Sequence, residues 1–264
     1  MRKSNPYISV VVNCDTRNES NQEQGLFNGT VNLDFLTDGV FNKIKFFEGF
    51  DIEVILFVDQ HNPIPERALA YIHSICDTVV IRKHSHEEKF NDTNYWQALA
   101  MARGTYVAHF DGDMAAFTSG KEPIERMINW LETYDYVSYP DRNSPNPDHN
   151  PNYDYYWCST RFFMCKRETL DFTEIRKCLA DMDYLYGKYP ASVRNPWFEH
   201  VIALISKYAG KGVYYPPMDV DHYAIFCWGS YERFTFQRLH QLSYEEVKQF
   251  INARGIHYPC NLNA

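Results

Sequence analysis

The chain has 264 residues, which is enough for one large α/β domain with a sizeable core. Its net charge of −8 at pH 7 argues against nucleic acid or an anionic membrane surface as the main partner, because both require clustered cations. Its 7 cysteines are scattered and form no Cys-x-x-Cys pair, which predicts neither a disulfide framework nor a zinc ribbon. With no apolar leader and no run of about 18 apolar residues, we expect a cytoplasmic protein without a transmembrane segment.

The first half of the sequence alternates apolar strand patterns with amphipathic helix patterns. Strands are predicted at 7–12, 52–58, 78–81 and 104–111, and helices around 33–47, 65–75 and 95–103. This alternation is typical of a doubly wound, mostly parallel sheet. It places three strand ends, near Asp15, Asp59 and Asp111, at one edge of the sheet, where open α/β sheets bind their ligands.

The second half has a less regular order of elements. Helices are predicted at 123–131, 167–180 and 197–208, strands at 136–139, 162–165 and 212–215, and a helical tail from a capping box at Ser243. The segment 141–157 is rich in Asn, Pro and Tyr and has no periodicity. Loops of this length are usually functional or disordered, and its aromatic side chains could stack on a sugar or simply pack within the loop.

The most informative stretch runs from Gly104 into the triplet Asp111-Gly112-Asp113. In an extended backbone, residues two apart point to the same side, which would place the two carboxylates about 6–7 Å apart. Carboxylate oxygens suit Mg²⁺ or Mn²⁺, and Gly112 would let an anionic ligand approach the backbone closely. The alternative is a solvated turn in which aspartate and glycine only end a strand.

Several segments, in a fixed order, carry a resemblance to a known family. They are Val58-Asp59 at the end of a strand, the run from Ala102 to Asp113, the segment from Phe163 to Leu170, the segment from Trp197 to Leu204, and the strand at 212–215 followed by His222. Together they are similar to the family 2 glycosyltransferases over about residues 7 to 228. The resemblance implies the A-type glycosyltransferase fold, a single Rossmann-like, mostly parallel sheet flanked by helices, with a short C-terminal helical extension.

The resemblance also implies an organisation for the single domain, residues 1–264. A nucleotide-sugar half would cover 1–113, an acceptor half 114–235 and the extension 236–264. The sequence departs from the family at three positions. His200, after Glu199, and Gln60, after Asp59, each stand where a second acid is usual. Asn94 matches a family asparagine only loosely.

Residue roles follow from the resemblance position by position. They are Asp15 and Asp59 for base and ribose, Asp111 and Asp113 for the metal, and Glu199 for the catalytic base. Independently of the resemblance, Asp111 and Gly112 are candidates for binding the diphosphate, because glycine lets an anionic ligand approach the backbone. Asp15 and Asp59 could instead be helix N-caps, and Glu199 could be only a carboxylate favoured by a helix dipole. Two aromatic residues before Glu199 would dry the site and raise its proton affinity.

Histidines add further candidates. His222 is a candidate metal ligand, and an imidazole would shift the preference from Mg²⁺ toward Mn²⁺, but it could also be a packed or surface histidine. His84 and His86 could form a metal pair or lie in a solvated loop, or with Lys89 they could face the diphosphate.

We therefore expect a metal-dependent, inverting glycosyltransferase that uses Mn²⁺ or Mg²⁺ and moves a sugar from a nucleotide diphosphate to a glycan or lipid-linked acceptor. A UDP-sugar is favoured, because an acid at position 59 can accept a hydrogen bond from the uracil imide N–H. Two alternatives remain. A sugar-phosphate nucleotidylyltransferase would need a glycine-rich phosphate loop, which 13–17 lacks, and a noncatalytic glycan-binding module would use its acids to bind Ca²⁺.

Overall fold

The computed structural model describes residues 6–16, 36–60, 63–83, 93–112, 114–118, 120–138, 158–191, 197–216 and 223–227, together with residues 246 and 249. The strands in these ranges are β1 (Ile8–Asp15), β2 (Ile52–Gln60), β3 (Thr78–Lys83), β4 (Tyr106–Asp111), β5 (Met114–Thr118), β6 (Tyr136–Ser138), β7 (Phe162–Lys166), β8 (Val213–Tyr214) and β9 (Tyr223–Cys227). The helices are α1 (Asp38–Phe46), α2 (Glu66–Ile75), α3 (Thr93–Ala100), α4 (Glu122–Trp130), α5 (Phe172–Ala180), α6 (Met182–Lys188) and α7 (Phe198–Ala209).

Seven of these strands form one sheet in the order β3-β2-β1-β4-β7-β6-β8. Among them β7 runs antiparallel to its neighbours β4 and β6, and the other neighbouring pairs are parallel. The predicted α/β class with a mostly parallel sheet flanked by helices is confirmed. In addition, β5 and β9 form a small antiparallel sheet that the sequence pattern did not predict.

The direction in which the chain is wound reverses between β1 and β4. From β1 the chain proceeds outward to β2 and β3, returns through α3, and enters β4 on the other side of β1. Ligands of open α/β sheets bind outside the carboxyl ends of the strands at such a switch point. The paired residues at this position are Asn13 of β1 and Asp111 of β4.

Helices cover both faces of the main sheet. Val10 and Val12 of β1 pack against apolar residues of α1, α2 and α4, whereas Val11 packs against those of α3, α5 and α7. Because side chains alternate along a strand, the odd-numbered residues of β1, β2 and β4 belong to the α7 face. Asp59 and Asp111 are therefore on the face that carries Glu199.

Aspartate N-caps set the starts of two helices, one of which begins later than predicted and one of which was not predicted. The predicted helix at 167–180 begins with a 3₁₀ turn, and α5 starts after Asp171, whose carboxylate accepts the N–H groups of residues 173 and 174 at 3.0 Å. Asp181 caps α6, which was not predicted, in the same way. In the described part of the chain, no helix combines the length and apolar character needed to cross a bilayer. Of the predicted helical tail, only Glu246 and Gln249 are described, and both are helical.

Candidate active site

The strand ends predicted to form the site do lie together. Asp15 is the register partner of Asp59, and Asn13 is the register partner of Asp111. The three acids therefore lie at the ends of neighbouring strands, and neighbouring strands are about 4.8 Å apart. The N–H of Thr16 donates to the carbonyl oxygen of Asp59 at 3.0 Å, which continues the pairing beyond β1. The side chains of Asp59 and Asp111 are half-buried, and the side chain of Asp15 lies outside the described residues.

The chain turns at Gly112, between two strands. β4 ends at Asp111, Gly112 lies in the turn, and β5 begins at Met114, so the extended backbone assumed for a spacing of about 6–7 Å between the carboxylates is interrupted at Gly112. Asp113 itself lies outside the described residues.

Gly112 is required by its close approach to β1. Its N–H donates to the carbonyl oxygen of Asn13 at 2.7 Å, and an added Cβ would overlap Sγ of Cys14 and lie 3.2 Å from that same carbonyl oxygen. A side chain would therefore push the turn away from β1. The predicted contact between Gly112 and a ligand stays a prediction.

Helix α1 holds this turn from the other face of the sheet. Lys43 is fully buried, and its ammonium group donates to the carbonyl oxygens of Gly112, at 2.9 Å, and Met114. Asn42 donates to the carbonyl oxygen of Ala116 at 3.0 Å and accepts the N–H of Ala116 at 2.8 Å. The backbone on both sides of the turn is therefore bound to α1.

The candidate base is held by the segment before β7. Glu199 lies in the first turn of α7, where the helix dipole favours a carboxylate. Its Oε1 accepts the N–H of Thr160 at 2.9 Å and the hydroxyl group of Thr160. Phe198 is fully buried, but Trp197 is 57% exposed, so only one of the two preceding aromatic residues shields this helix start from water.

Asp111 and Glu199 converge on two adjacent residues. The N–H of Asp111 donates to the carbonyl oxygen of Arg161 at 3.2 Å, while Thr160 binds Glu199. The antiparallel pairing of β4 with β7, in which Phe110 faces Phe162, produces this arrangement. The backbone of a predicted metal ligand and the carboxylate of the predicted base, far apart in sequence, are thus bound to adjacent residues.

A buried histidine joins the same residues to β1. Nδ1 of His109 lies 2.6 Å from the carbonyl oxygen of Thr160, and Nε2 lies 2.8 Å from the amide nitrogen of Asn13. Because a carbonyl only accepts, the hydrogen-bond network assigns the proton to Nδ1, and Nε2 accepts from Asn13. Burial lowers the pKa of His109 to about 3, although its hydrogen bond to Thr160 acts in the opposite direction. His109 is therefore a neutral link at physiological pH.

Sequence reasoning missed these supporting residues to different degrees. His109 is two residues before Asp111 in an otherwise apolar strand, which places it on the same face. Lys43 lies on the apolar stripe that includes Val40 and Phe47. Both positions could have been noticed in the sequence, whereas nothing in the sequence marks Thr160.

Other predicted site residues lie outside the described ranges: His84, His86, Lys89, Asp113, His222 and the loop at 141–157. The β5–β9 ladder pairs Met114 with Cys227 and Thr118 with Tyr223. Tyr223, the residue directly after His222, therefore lies about 13 Å along the ladder from Met114. Metal ligation by His222 stays a prediction, and within the described ranges no three His, Cys, Asp or Glu side chains cluster as metal ligands.

No protein-family model matches the sequence, and no curated protein does either. Solved structures similar to it include a mannosyltransferase from Pyrobaculum calidifontis in complex with GDP-Man and Mn²⁺, at 17% identity and a TM-score of 0.47, covering 83% of this chain and 56% of that one. Another is 4-diphosphocytidyl-2C-methyl-D-erythritol synthase from Anaerococcus prevotii, with 16% identity and a TM-score of 0.44, a match that covers 80% of this chain and 89% of that one. A third is mouse xyloside xylosyltransferase 1, with 10% identity and a TM-score of 0.44, a match that covers 81% of this chain and 86% of that one.

The chain therefore spans little more than half the length of the mannosyltransferase it resembles. Glycosyltransferases recur among the similar structures.

Proposed function

We propose that the chain is a metal-dependent, inverting glycosyltransferase that moves a sugar from a nucleotide diphosphate to a hydroxyl group of a glycan or lipid-linked acceptor. The observation that carries the proposal is the convergence of Asp111 and Glu199 on the Thr160–Arg161 dipeptide, beside the switch point of the sheet. Displacement of a nucleoside diphosphate by a hydroxyl group requires the leaving group to be held near a proton acceptor. This arrangement supplies one candidate for each task.

Asp111 and Asp113 are the proposed protein ligands of a divalent cation. Their oxygen donors suit Mg²⁺ or Mn²⁺, and the strand end of Asp111 lies where open α/β sheets bind ligands. When bound, such a cation would act as a Lewis acid that neutralises the charge developing on the diphosphate. His222 is proposed as an additional ligand.

The nucleotide would occupy the ends of β1 and β2. Asp15 and Asp59 are adjacent there and are proposed to bind its base and ribose. Lys89 and the backbone at Gly112 are proposed to contact the diphosphate.

Glu199 is proposed to accept the proton of the acceptor hydroxyl group. As the hydroxyl oxygen bonds to the anomeric carbon, the bond from that carbon to the diphosphate breaks and the electron pair leaves with the diphosphate. A single displacement of this kind inverts the anomeric configuration. Two hydrogen bonds from Thr160 orient the Glu199 carboxylate before the acceptor arrives, which lowers the entropic cost of the reaction.

Thermal unfolding with UDP, GDP, dTDP or ADP, each with and without Mn²⁺, tests the proposal. At least one nucleoside diphosphate should stabilise the protein only when Mn²⁺ is present, by ~2.7 kcal/mol at 100 times its Kd. Asp111→Asn keeps the side-chain shape but removes its charge, and should abolish the Mn²⁺-dependent shift. Asp171→Asn is the matched control, because asparagine is an equally good N-cap for α5.

The same preparation distinguishes the alternatives. Release of pyrophosphate from a nucleoside triphosphate and a sugar 1-phosphate would indicate a nucleotidylyltransferase. Binding of Ca²⁺ and a glycan without any nucleotide would indicate a binding module. If no nucleoside diphosphate binds in a Mn²⁺-dependent way, the proposal is wrong.

A further inference from the structure

Lys43 is an ionisable residue in the middle of a packed helix face. It has an exposed fraction of 0%, as do Val40 of α1 and the residues Leu36 and Phe47 that flank the helix. Burying an ammonium group has a large desolvation cost unless its hydrogen bonds replace water. A fully buried lysine contributes nothing to the solubility of the protein. Its role must therefore follow from the groups that its ammonium binds.

Those partners bracket one residue of the sequence. The ammonium group of Lys43 donates to the carbonyl oxygens of Gly112 and Met114, the residues immediately before and after Asp113. On the opposite side of the turn, the N–H of Gly112 donates to the carbonyl oxygen of Asn13 at 2.7 Å. The turn is therefore held between α1 and β1 at the switch point of the sheet.

We propose that Lys43 is a positioning residue that fixes the turn at Gly112 for divalent-cation and diphosphate binding. This inference rests on the proposed function and deepens it. Lys43 approaches from the α1 face, whereas Asp111 belongs to the α7 face, so Lys43 acts through the turn backbone and does not contact the substrate.

Two effects of Lys43 on cation affinity have opposite signs. Its positive charge repels a cation, so removal of the charge alone should strengthen binding. Its hydrogen bonds hold the backbone next to the proposed ligands, so removal of the tether should weaken binding. The sign of the change in affinity therefore separates a positioning role from a purely electrostatic one.

The first test is a Mn²⁺ titration of the full chain, followed by electron paramagnetic resonance of the free ion. Lys43→Met retains the length of the side chain and removes the donor, and should weaken Mn²⁺ binding at least about tenfold. Lys43→Arg retains charge and donors and should lose less. The matched control is Glu53→Gln, which alters a buried hydrogen-bonded residue near the start of β2, where Ser9 and Arg103 bind Glu53. It should bind Mn²⁺ like the wild type.

The second test is amide hydrogen exchange without metal. In Lys43→Met, the amide of Gly112 should exchange at least about tenfold faster, while those in the centre of β1 keep their rates. Unchanged exchange at Gly112, or Mn²⁺ binding as tight as in the wild type, would overturn the positioning role. So would a failure of every Lys43 variant to fold while Glu53→Gln folds. If the wild type binds no Mn²⁺, the proposed metal site is wrong, and exchange still shows separately whether Lys43 holds the turn.

Discussion

Thr160 donates two hydrogen bonds to the same carboxylate oxygen of Glu199, one from its backbone N–H at 2.9 Å and one from its hydroxyl group. The carbonyl oxygen of Thr160 in turn accepts a hydrogen bond from His109, whose other ring nitrogen accepts one from Asn13. The orientation of the proposed base is therefore linked to the end of β1, where the nucleotide is proposed to bind.

Replacing Thr160 by valine removes one donor to Glu199 while keeping the branched shape of the side chain. If Thr160 orients the base, kcat should fall about 10- to 100-fold, which corresponds to the free energy of one hydrogen bond to a charged group. KM for the sugar nucleotide should stay unchanged. Steady-state kinetics measures both. Thr160→Ser retains the hydroxyl group and should restore most of kcat, and an equal loss in both variants would contradict the orienting role.

Replacing Glu199 by glutamine keeps the shape and hydrogen bonding of the side chain but removes the proton acceptor. We expect kcat to fall about 10²- to 10⁴-fold, with little change in the affinity for the sugar nucleotide. Transfer assays and calorimetry measure these two quantities. The wild-type product, examined by NMR, should have the anomeric configuration opposite to that of the donor.

Two results would contradict this role of Glu199. Near-normal kcat in Glu199→Gln would move the base to another acid, such as Asp183 or Asp219, since Asp181 is engaged as the N-cap of α6. Retention of the anomeric configuration would exclude a single displacement altogether.

His109 should make stability depend on pH. Its pKa in the folded protein is lowered to about 3 by burial, whereas an unfolded histidine titrates near about 6.5. Between these pH values the unfolded chain binds a proton that the folded chain does not. The contribution of His109 is therefore complete above pH ~6.5 and is lost toward pH ~3, with a slope of up to ~1.4 kcal/mol per pH unit.

Urea unfolding between pH 4 and pH 7 tests this pH dependence. His109→Gln should lower the free energy of unfolding at pH 7, and it should also give a shallower decline of that free energy with falling pH. His73→Gln, at an exposed position on α2, is the matched control and should keep the wild-type slope. Parallel slopes for wild type and His109→Gln would contradict the buried, neutral histidine.

The main sheet could be predicted from the sequence because its strands are short apolar runs that end at polar residues, as β2 does at Asp59. The same pattern predicted the shared edge, since parallel strands end together. β5 and β9 escaped prediction because they pair with each other across a large separation in sequence, which local patterns do not reveal. The contact between Thr160 and Glu199 is likewise a product of tertiary pairing, which local periodicity does not encode.

The last prediction concerns the nucleotide, and it rests on Asp59 at the end of β2. Its half-buried carboxylate lies next to the end of β1, and a carboxylate can accept a hydrogen bond from the imide N–H of uracil. Adenine has no donor at the corresponding ring nitrogens. We therefore expect UDP to bind more tightly than ADP, as measured by calorimetry in Mn²⁺.

Two variants of Asp59 separate charge from hydrogen bonding. Asp59→Asn retains an acceptor without charge and should weaken UDP binding about tenfold, whereas Asp59→Leu retains no acceptor and should weaken it about 100-fold. ADP binding should change little in either variant, because adenine makes no such hydrogen bond. A loss of UDP and ADP affinity to the same extent would place Asp59 at the ribose or diphosphate, which both nucleotides share. Equal affinity of the wild type for UDP and ADP would show that Asp59 does not read the base.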